Sequence, residues 1–351
     1  MLAAYDYALP EELIAQHPAP QRDESRLMVL DCENTQHHHF RDLPELLNPG
    51  DVLVLNETRV IAARLLGERI GSGARVELLL LHPARSLRYD CAALRWTALA
   101  RPARRLRTGA RIAFGELGEA TVIDELEEGI REVELSLRVP FEEFLAEAGR
   151  MPLPPYIHDD SAEAQRRYQT VFARLPGSVA APTASLHFTP ELLADIERHG
   201  IAIVRLSLNV GLGTFRPITA ETVDQHVMHA EAYAIEPAAA VALEQARRER
   251  RRIVAAGTTV VRALEGNVRS YGAIEAGEHT TDLFITPGFH FRVVGALITN
   301  FHLPRSTLLM LVSAFAGRER ILRAYAQAID ERYRFYSFGD AMMITPSPGA
   351  E

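Results

Sequence analysis

Apolar residues along this chain gather into short β-branched runs that stop abruptly at polar groups. GDVLVLN ends in Asn56, Glu57, Thr58 and Arg59, and IAIVRLSL gives way to a glycine-rich turn. RRIVAAG leads to Thr258 and Thr259, and GALITN ends at Asn300, with His302 just beyond. Runs of this length bounded by Gly and polar residues predict buried strands. Helical stretches fall between them. FEEFLAEA closes at Gly149, and AEAQRRYQTVFA predicts a helix over 162–173. Thr189 and Pro190 form a cap and first helical position, and Pro237 opens a helix that runs into RRERRR. A shorter helical start comes after Pro10, and LMVLD reads as a strand. Three adjacent histidines, His37, His38 and His39, cannot all face one way on a strand or helix, so a solvated loop is expected there. Strands alternating with helices predict an α/β fold.

Residues 65–139 obey a different rule. Short β-rich runs (RVELLLL, CAALRWTAL, ARIAF, ATVID, REVELSLRV) are separated by Gly71, Gly73, Gly109, Gly115, Gly118 and Gly129. No helical period interrupts them, which predicts a small β-barrel or sandwich. Residues 1–64 and 140–351 then form one discontinuous α/β domain, with 65–139 inserted into it.

The 351 residues are enough for about two domains. Hydrophobic residues make up 47% and charged residues 24%, as in soluble globular proteins. Cys32 and Cys91 are the only cysteines, which excludes a disulfide scaffold or a four-cysteine zinc site and predicts a reducing, cytoplasmic setting. The opening MLAAYDYALPEEL lacks a basic start before a long apolar core, so no signal peptide is expected. The most apolar segment, Thr307–Ala316, is shorter than the roughly 20 residues a bilayer requires. All 38 basic residues are arginine. With no lysine, a P-loop, a pyridoxal Schiff base and a lysine nucleophile are excluded. The net charge of −8 argues against general coating of nucleic acid, so any RNA contact must use local arginine patches. RPARRLRTGAR supplies one, with Arg101, Arg104, Arg105, Arg107 and Arg111. It is either a solvated hairpin rim or a phosphate-binding edge.

The densest candidate chemistry lies at 208–231, LNVGLGTFRPITAETVDQHVMHAE. It comes directly after a predicted strand and therefore occupies the strand's carboxyl edge, where α/β proteins place ligands. His226, His229 and Glu231 suggest metal ligands. On a helix His226 and His229 share a face without Glu231; on a strand His229 and Glu231 share one without His226. No HExxH or cysteine pair supports a metal, and none is expected. General acid–base work needs only one histidine and one carboxylate within reach. The Gly-x-Gly turn is a poor dinucleotide or methyltransferase fingerprint, because Pro217 blocks the helix such a turn must open. No G-x-S-x-G supports a serine nucleophile. Residues 181–187 lead into a helix N-terminus, which attracts anions. Asn56, Thr58 and Arg59 form either a capping turn or part of a site.

Taken together, these stretches resemble the S-adenosylmethionine:tRNA ribosyltransferase-isomerases of queuosine biosynthesis. The likeness is carried by YDYALPEELIAQHPAPQRDESRLMVLD, GDVLVLNETRVIAARL, PLPPYI, RYQTVFA, VAAPTASLHFT, GLGTFRPI, DQHVMHAE, AAGTTVVRALE, TDLFITPGFHFRVVGALITNFHLPRSTLLMLVSAFAG and YRFYSFGDAMMI. They keep the family's order over nearly the whole chain and thin out in the β-rich insert. Ser185 stands where the family usually has Gly, and Val260 and Ala263 where it usually has Ser.

The resemblance implies an α/β domain with an inserted β-barrel and a reaction in which S-adenosylmethionine gives up its ribosyl part. The acceptor is 7-aminomethyl-7-deazaguanine at the tRNA wobble position, the product is epoxyqueuosine, and adenine and methionine leave. A monomer without an obligate protein partner or membrane attachment is expected. The sulfonium acidifies the neighbouring ribose carbon, adenine leaves more easily when protonated, and the amine must be unprotonated to attack. Each demand calls for a tuned His or carboxylate. His226, His229 and Glu231 are expected to supply these groups, with His187 and His302 in reserve. Gly211, Gly213, Thr214 and Arg216 are expected to approach the cofactor. Thr183, Thr258, Thr259, Arg262 and Asn300 are expected to bind its polar groups or the modified base, joined by Asn56, Thr58 and Arg59. The arginines at 101–111 are expected to touch tRNA phosphates. Two rivals from other classes are a metal-dependent hydrolase built on His226, His229 and Glu231, and a non-catalytic RNA-binding protein.

Overall fold

The computed structural model describes residues 2–31, 34–84, 86–211 and 228–346. The first strands are β1 (Arg26–Leu30), β2 (Thr35–His39), β3 (Val52–Asn56) and the short β4 (Thr58–Val60). The middle of the chain gives β5 (Arg64–Arg69), β6 (Ala74–Pro83), β7 (Arg95–Arg101), β8 (Arg111–Ala113), β9 (Gly118–Glu125), β10 (Ile130–Leu137) and the two-residue β11 (Gly149–Arg150). The remainder supplies β12 (Leu175–Ser178), β13 (Ala202–Leu208), β14 (Glu231–Ile235), β15 (Ile253–Ala256), β16 (Gly277–Thr281), β17 (Ala296–Asn300) and β18 (Ala341–Ile344). The helices are α1 (Leu43–Leu46), α2 (Phe141–Ala148), α3 (Ala162–Arg167), α4 (Pro190–Arg198), α5 (Pro237–Arg248), α6 (Thr258–Tyr271), α7 (Thr307–Ala316) and α8 (Arg318–Asp330).

One nine-stranded sheet, ordered β16-β14-β13-β3-β15-β17-β18-β1-β2, takes strands from both sides of the β-rich middle. Its centre, β13-β3-β15-β17, is parallel. The VLVLN of β3 and ALITN of β17 are buried at every position. That pattern belongs to strands covered on both faces. β13 differs: Ala202 and Arg205 are exposed while Val204, Leu206 and Leu208 are buried, so it alternates. Apolar clusters on the two sides of the sheet include Leu264, Phe301 and Phe315 on one and Phe40, Phe188 and Ile196 on the other.

Strands β5-β6-β7-β10-β9-β8 close into an antiparallel barrel through the β5–β8 pairing, and β11 adds to β5. The barrel interior holds Trp96, Leu78 and Val133, with Phe141 and Phe144 of α2 packed against them. Trp96 and Phe141 stack at 5.0 Å. The fold is the discontinuous α/β body with inserted barrel that the sequence predicts.

Two local expectations are corrected. His37, His38 and His39 are not a loop: they belong to β2, an edge strand pairing antiparallel with β1, so alternate rings face opposite sides. Tyr333 supplies the tertiary contact, its hydroxyl lying 2.7 Å from His37 Nδ1. The helix expected over 162–173 stops at Arg167, because Tyr168 turns fully into the interior against Phe338. Among the described residues no helix is long and apolar enough to cross a membrane.

Candidate active site

Because β13, β3, β15 and β17 run parallel, their carboxyl ends meet at one sheet edge. A cleft of about 600 Å³, counting the part open to solvent, lies there. Thr299, Asn300 and His302 reach it from the end of β17, and Gly257, Thr258 and Thr259 from the β15–α6 turn. Thr183 and Ala184 come from a 3-10 turn, Thr183–His187, that leads into α4. Tyr156, Tyr336 and Ser337 close it from irregular segments. Tyr156 Oη lies 2.7 Å from Ser337 Oγ, and its ring packs against Tyr336 at 4.8 Å. Burial raises both phenols well above their ordinary pKa, so they remain neutral.

Among the described residues, no charged side chain lines this cleft. His302, 8% exposed, is held neutral: burial lowers its pKa from 6.5 to about 3. Its Nε2 lies 2.9 Å from Thr299 Oγ1, and its backbone amide donates to Tyr325 Oη at 2.9 Å. Tyr7 Oη donates to the His302 carbonyl. Asn300 Nδ2 donates to the Tyr336 carbonyl at 2.9 Å, which fixes the amide's orientation. Thr259 Oγ1 in this lining is fully buried with no hydrogen-bond partner, and Asn300, whose Oδ1 is also buried, has its side chain interacting with the His187 ring. A buried polar atom without a partner costs free energy unless a ligand or water serves it.

The structure brings Thr183, Thr258, Thr259, Asn300 and His302 together and separates several other expected residues from them. His187 does not line the cleft. It faces a small neighbouring cavity, with Nδ1 2.7 Å from Ser25 Oγ. Burial lowers its pKa to about 3, partly opposed by the nearby Asn300 side chain. Asn56 spends its amide on backbone: Nδ2 donates to the Leu208 carbonyl at 3.0 Å, and Oδ1 accepts from the Leu208 and Thr58 amides. It thereby ties β3 to β13. Thr58 Oγ1 donates to Asn209 Oδ1 at 3.1 Å, and Arg59 is exposed on β4.

Glu231 is not the free carboxylate an acid–base role requires. It pairs with the buried Arg262 guanidinium and accepts the Gly211 amide at 3.0 Å. Arg262 also donates Nε to the Leu283 carbonyl at 3.0 Å, and its Nη2 is buried without a hydrogen-bond partner among the described residues. His229 is exposed. Gly213, Thr214, Arg216 and His226 lie outside the described residues. No group of three metal-ligating side chains occurs among the described residues.

All five arginines of the predicted RNA patch are exposed on the barrel. Arg107 pairs with Glu125 at 3.2 Å, Arg111 Nε with Glu119 at 3.1 Å, and Arg101 approaches Glu77 at 3.9 Å. Arg104 and Arg105 make no ion pair among the described residues. The turn bearing them is held by buried Arg131, which donates to the carbonyls of Leu106, Ile130 and Ala103 at 2.6, 2.8 and 3.0 Å.

A protein family described as queuosine biosynthesis protein matches residues 2–344. This chain belongs to that family. The S-adenosylmethionine:tRNA ribosyltransferase-isomerase of Moorella thermoacetica is 54% identical over 345 residues, 97% of this chain and 98% of the relative. The enzyme of the same name from Gloeobacter violaceus is 51% identical over 348 residues, 99% of this chain and 96% of its own. The crystal structure of S-adenosylmethionine tRNA ribosyltransferase from Thermotoga maritima matches with a TM-score of 0.54 at 37% identity, covering 97% of this chain and 99% of that one. That match runs over both the α/β body and the barrel. Tyr156 and Ser337 are additions to the expected site; each lies within a family-like motif, PLPPYI and YRFYSFGD, that sequence reading left without a role.

Proposed function

We infer that this chain is an S-adenosylmethionine:tRNA ribosyltransferase-isomerase. It transfers and isomerises the ribosyl moiety of S-adenosylmethionine onto 7-aminomethyl-7-deazaguanine at the tRNA wobble position, giving epoxyqueuosine-tRNA, adenine and methionine. Full-length identity of about half to relatives of that name carries this reading.

The cleft suits the donor. Thr259 Oγ1 is a buried polar atom without a partner, while Phe301, Leu303 and Leu308 offer apolar surface. His302 acts as a neutral hydrogen-bonding group. When the Thr299 hydroxyl donates to Nε2, the ring's proton sits on Nδ1 and is available to a ligand. The proton transfers fall to the DQHVMHAE stretch, in which His229 is exposed and Glu231 pairs with Arg262. In this reading the α/β body, 1–64 with 140–351, carries the chemistry. The inserted 65–139 offers Arg104 and Arg105 to tRNA phosphates. Cytoplasmic location and a monomeric state complete the proposal.

Mass spectrometry of a substrate-bearing anticodon stem-loop incubated with S-adenosylmethionine and the protein tests it. A gain corresponding to the epoxyqueuosine base, with adenine released, is expected. A methyl gain alone, or an unchanged stem-loop beside intact donor, would overturn it.

A further inference from the structure

Helix α6 begins differently from the other helices that meet this region. Thr189 Oγ1 caps α4 by accepting the Leu192 amide at 3.1 Å, and Ser306 Oγ caps α7 by accepting the Leu309 amide at 3.1 Å. The residue before α6 is Gly257, at φ 101°, with no side chain to cap. The amides of Thr258 and Thr259 have no carbonyl a turn earlier to bond, so the first turn presents bare N–H groups and the positive end of the helix dipole. An uncapped helix end alone assigns nothing. The decisive observation is the side chain beside it. Thr259 is 6% exposed, lines the cleft, and leaves Oγ1 buried without a partner. Asn300, 2% exposed, lines the same cleft with Oδ1 buried, its side chain interacting with the His187 ring. The Tyr336 carbonyl fixes Asn300 so that this atom is the acceptor and not the donor.

A donor set at the helix start describes an anionic ligand group. We propose that the first turn of α6, with the Thr259 hydroxyl, holds the carboxylate of the donor's methionine portion. This rests on S-adenosylmethionine being the donor. The donor's own sulfonium and ammonium offset the charge of its carboxylate, whereas a phosphodiester would bring an uncompensated one into the cleft. A chain-terminal group can also enter head-first, which a phosphate inside a polynucleotide cannot.

The test compares S-adenosylmethionine with its decarboxylated form, which keeps sulfonium, sugar, adenine and amine. Binding is measured by calorimetry, and adenine release with substrate tRNA is monitored in parallel. Wild-type protein should prefer the complete donor by about tenfold or more, as expected for hydrogen bonds to a charged group. Thr259→Val should weaken the complete donor by about tenfold and leave the decarboxylated donor within about twofold, while Thr259→Ser should restore the preference. Equal binding of the two donors by the wild type overturns the assignment without any substitution. Thr259→Val weakening both donors alike also overturns it. A wild type that releases adenine normally yet shows no preference refutes only this subsite. A wild type that neither binds the donor nor releases adenine refutes the functional reading and this inference with it.

Discussion

Two buried histidines make the stability of this protein depend on mild acid. His187 and His302 are 4% and 8% exposed, and burial lowers each pKa from 6.5 to about 3. The folded value lies below the unfolded one, so the unfolded chain binds more protons as pH falls. The contribution is therefore complete above the ordinary value of 6.5 and is lost progressively as pH drops toward about 3. At about pH 5 the unfolded imidazole lies about 1.5 units into its titration, which costs the fold about 2 kcal/mol per histidine and about 4 kcal/mol for the pair. This figure holds as long as the folded value stays well below 5, so it depends little on the depth of the shift. The assay is urea unfolding at about pH 8 and about pH 5 for the wild type, His187→Asn and His302→Asn. Each substitution should shrink the loss between the two conditions by about 2 kcal/mol, whatever it does to stability at the higher pH. A variant whose pH dependence runs parallel to wild type would show that its histidine titrates as freely folded as unfolded, and the assignment of a neutral buried imidazole would fail for that residue.

The Glu231–Arg262 pair gives a second test: Glu231→Ala strands a buried guanidinium and should cost about 3–5 kcal/mol, so an unchanged melting temperature would refute the pairing. Arg131→Met leaves the Leu106 carbonyl without its donor, takes a second donor from the Ala103 and Ile130 carbonyls, and should destabilise the barrel by about 1–3 kcal/mol. Hydrogen exchange should then rise at 103–106, and unaltered protection there would contradict the role given to Arg131. On the barrel rim, Arg104→Ala and Arg105→Ala should each lower the salt slope of tRNA binding by about 0.7–0.9. Arg111→Ala should lower it less, because Arg111 is already engaged by Glu119. Equal effects, or none, would show that the rim does not discriminate as its ion pairs imply.

The sheet centre was legible because β3, β15 and β17 carry continuous apolar runs, which short parallel strands buried on both faces require. The cleft was legible for the same reason: Thr258, Thr259, Asn300 and His302 sit at or just past the ends of those runs, and parallel pairing brings the strands' carboxyl ends to one edge. Reading failed where a partner lies far along the chain. Asn56 looks like a ligand at a strand end until β13 pairs beside it and Leu208, 152 positions away, takes its amide. Glu231 looks like a free carboxylate until α6 brings Arg262 to it. The β2 histidines lacked a visible reason to form a strand because the reason is β1 and Tyr333. Tyr156 and Ser337 come from irregular segments with no period to read, and only tertiary packing places them 2.7 Å apart at the cleft wall.

A pKa near 3 also decides what His302 can do in the reaction. At neutral pH its charged fraction is about one in ten thousand, too rare for an effective acid, and as a base it lies about four units too weak. Efficient proton shuttles sit near the working pH, so a deeply lowered histidine is better suited to lending a fixed, uncharged hydrogen bond. An asparagine can reproduce that bond, since its amide nitrogen falls near the position of Nδ1, but it cannot titrate. His302→Asn should therefore keep turnover within about tenfold of wild type with the same pH profile, whereas His302→Leu should lose about a hundredfold. Adenine release at saturating donor and tRNA, measured across pH, separates the cases. If His302→Asn proves as inactive as His302→Leu while both remain folded, the imidazole must carry a proton during turnover, and ligand binding must lift its pKa out of the range the unliganded cleft imposes.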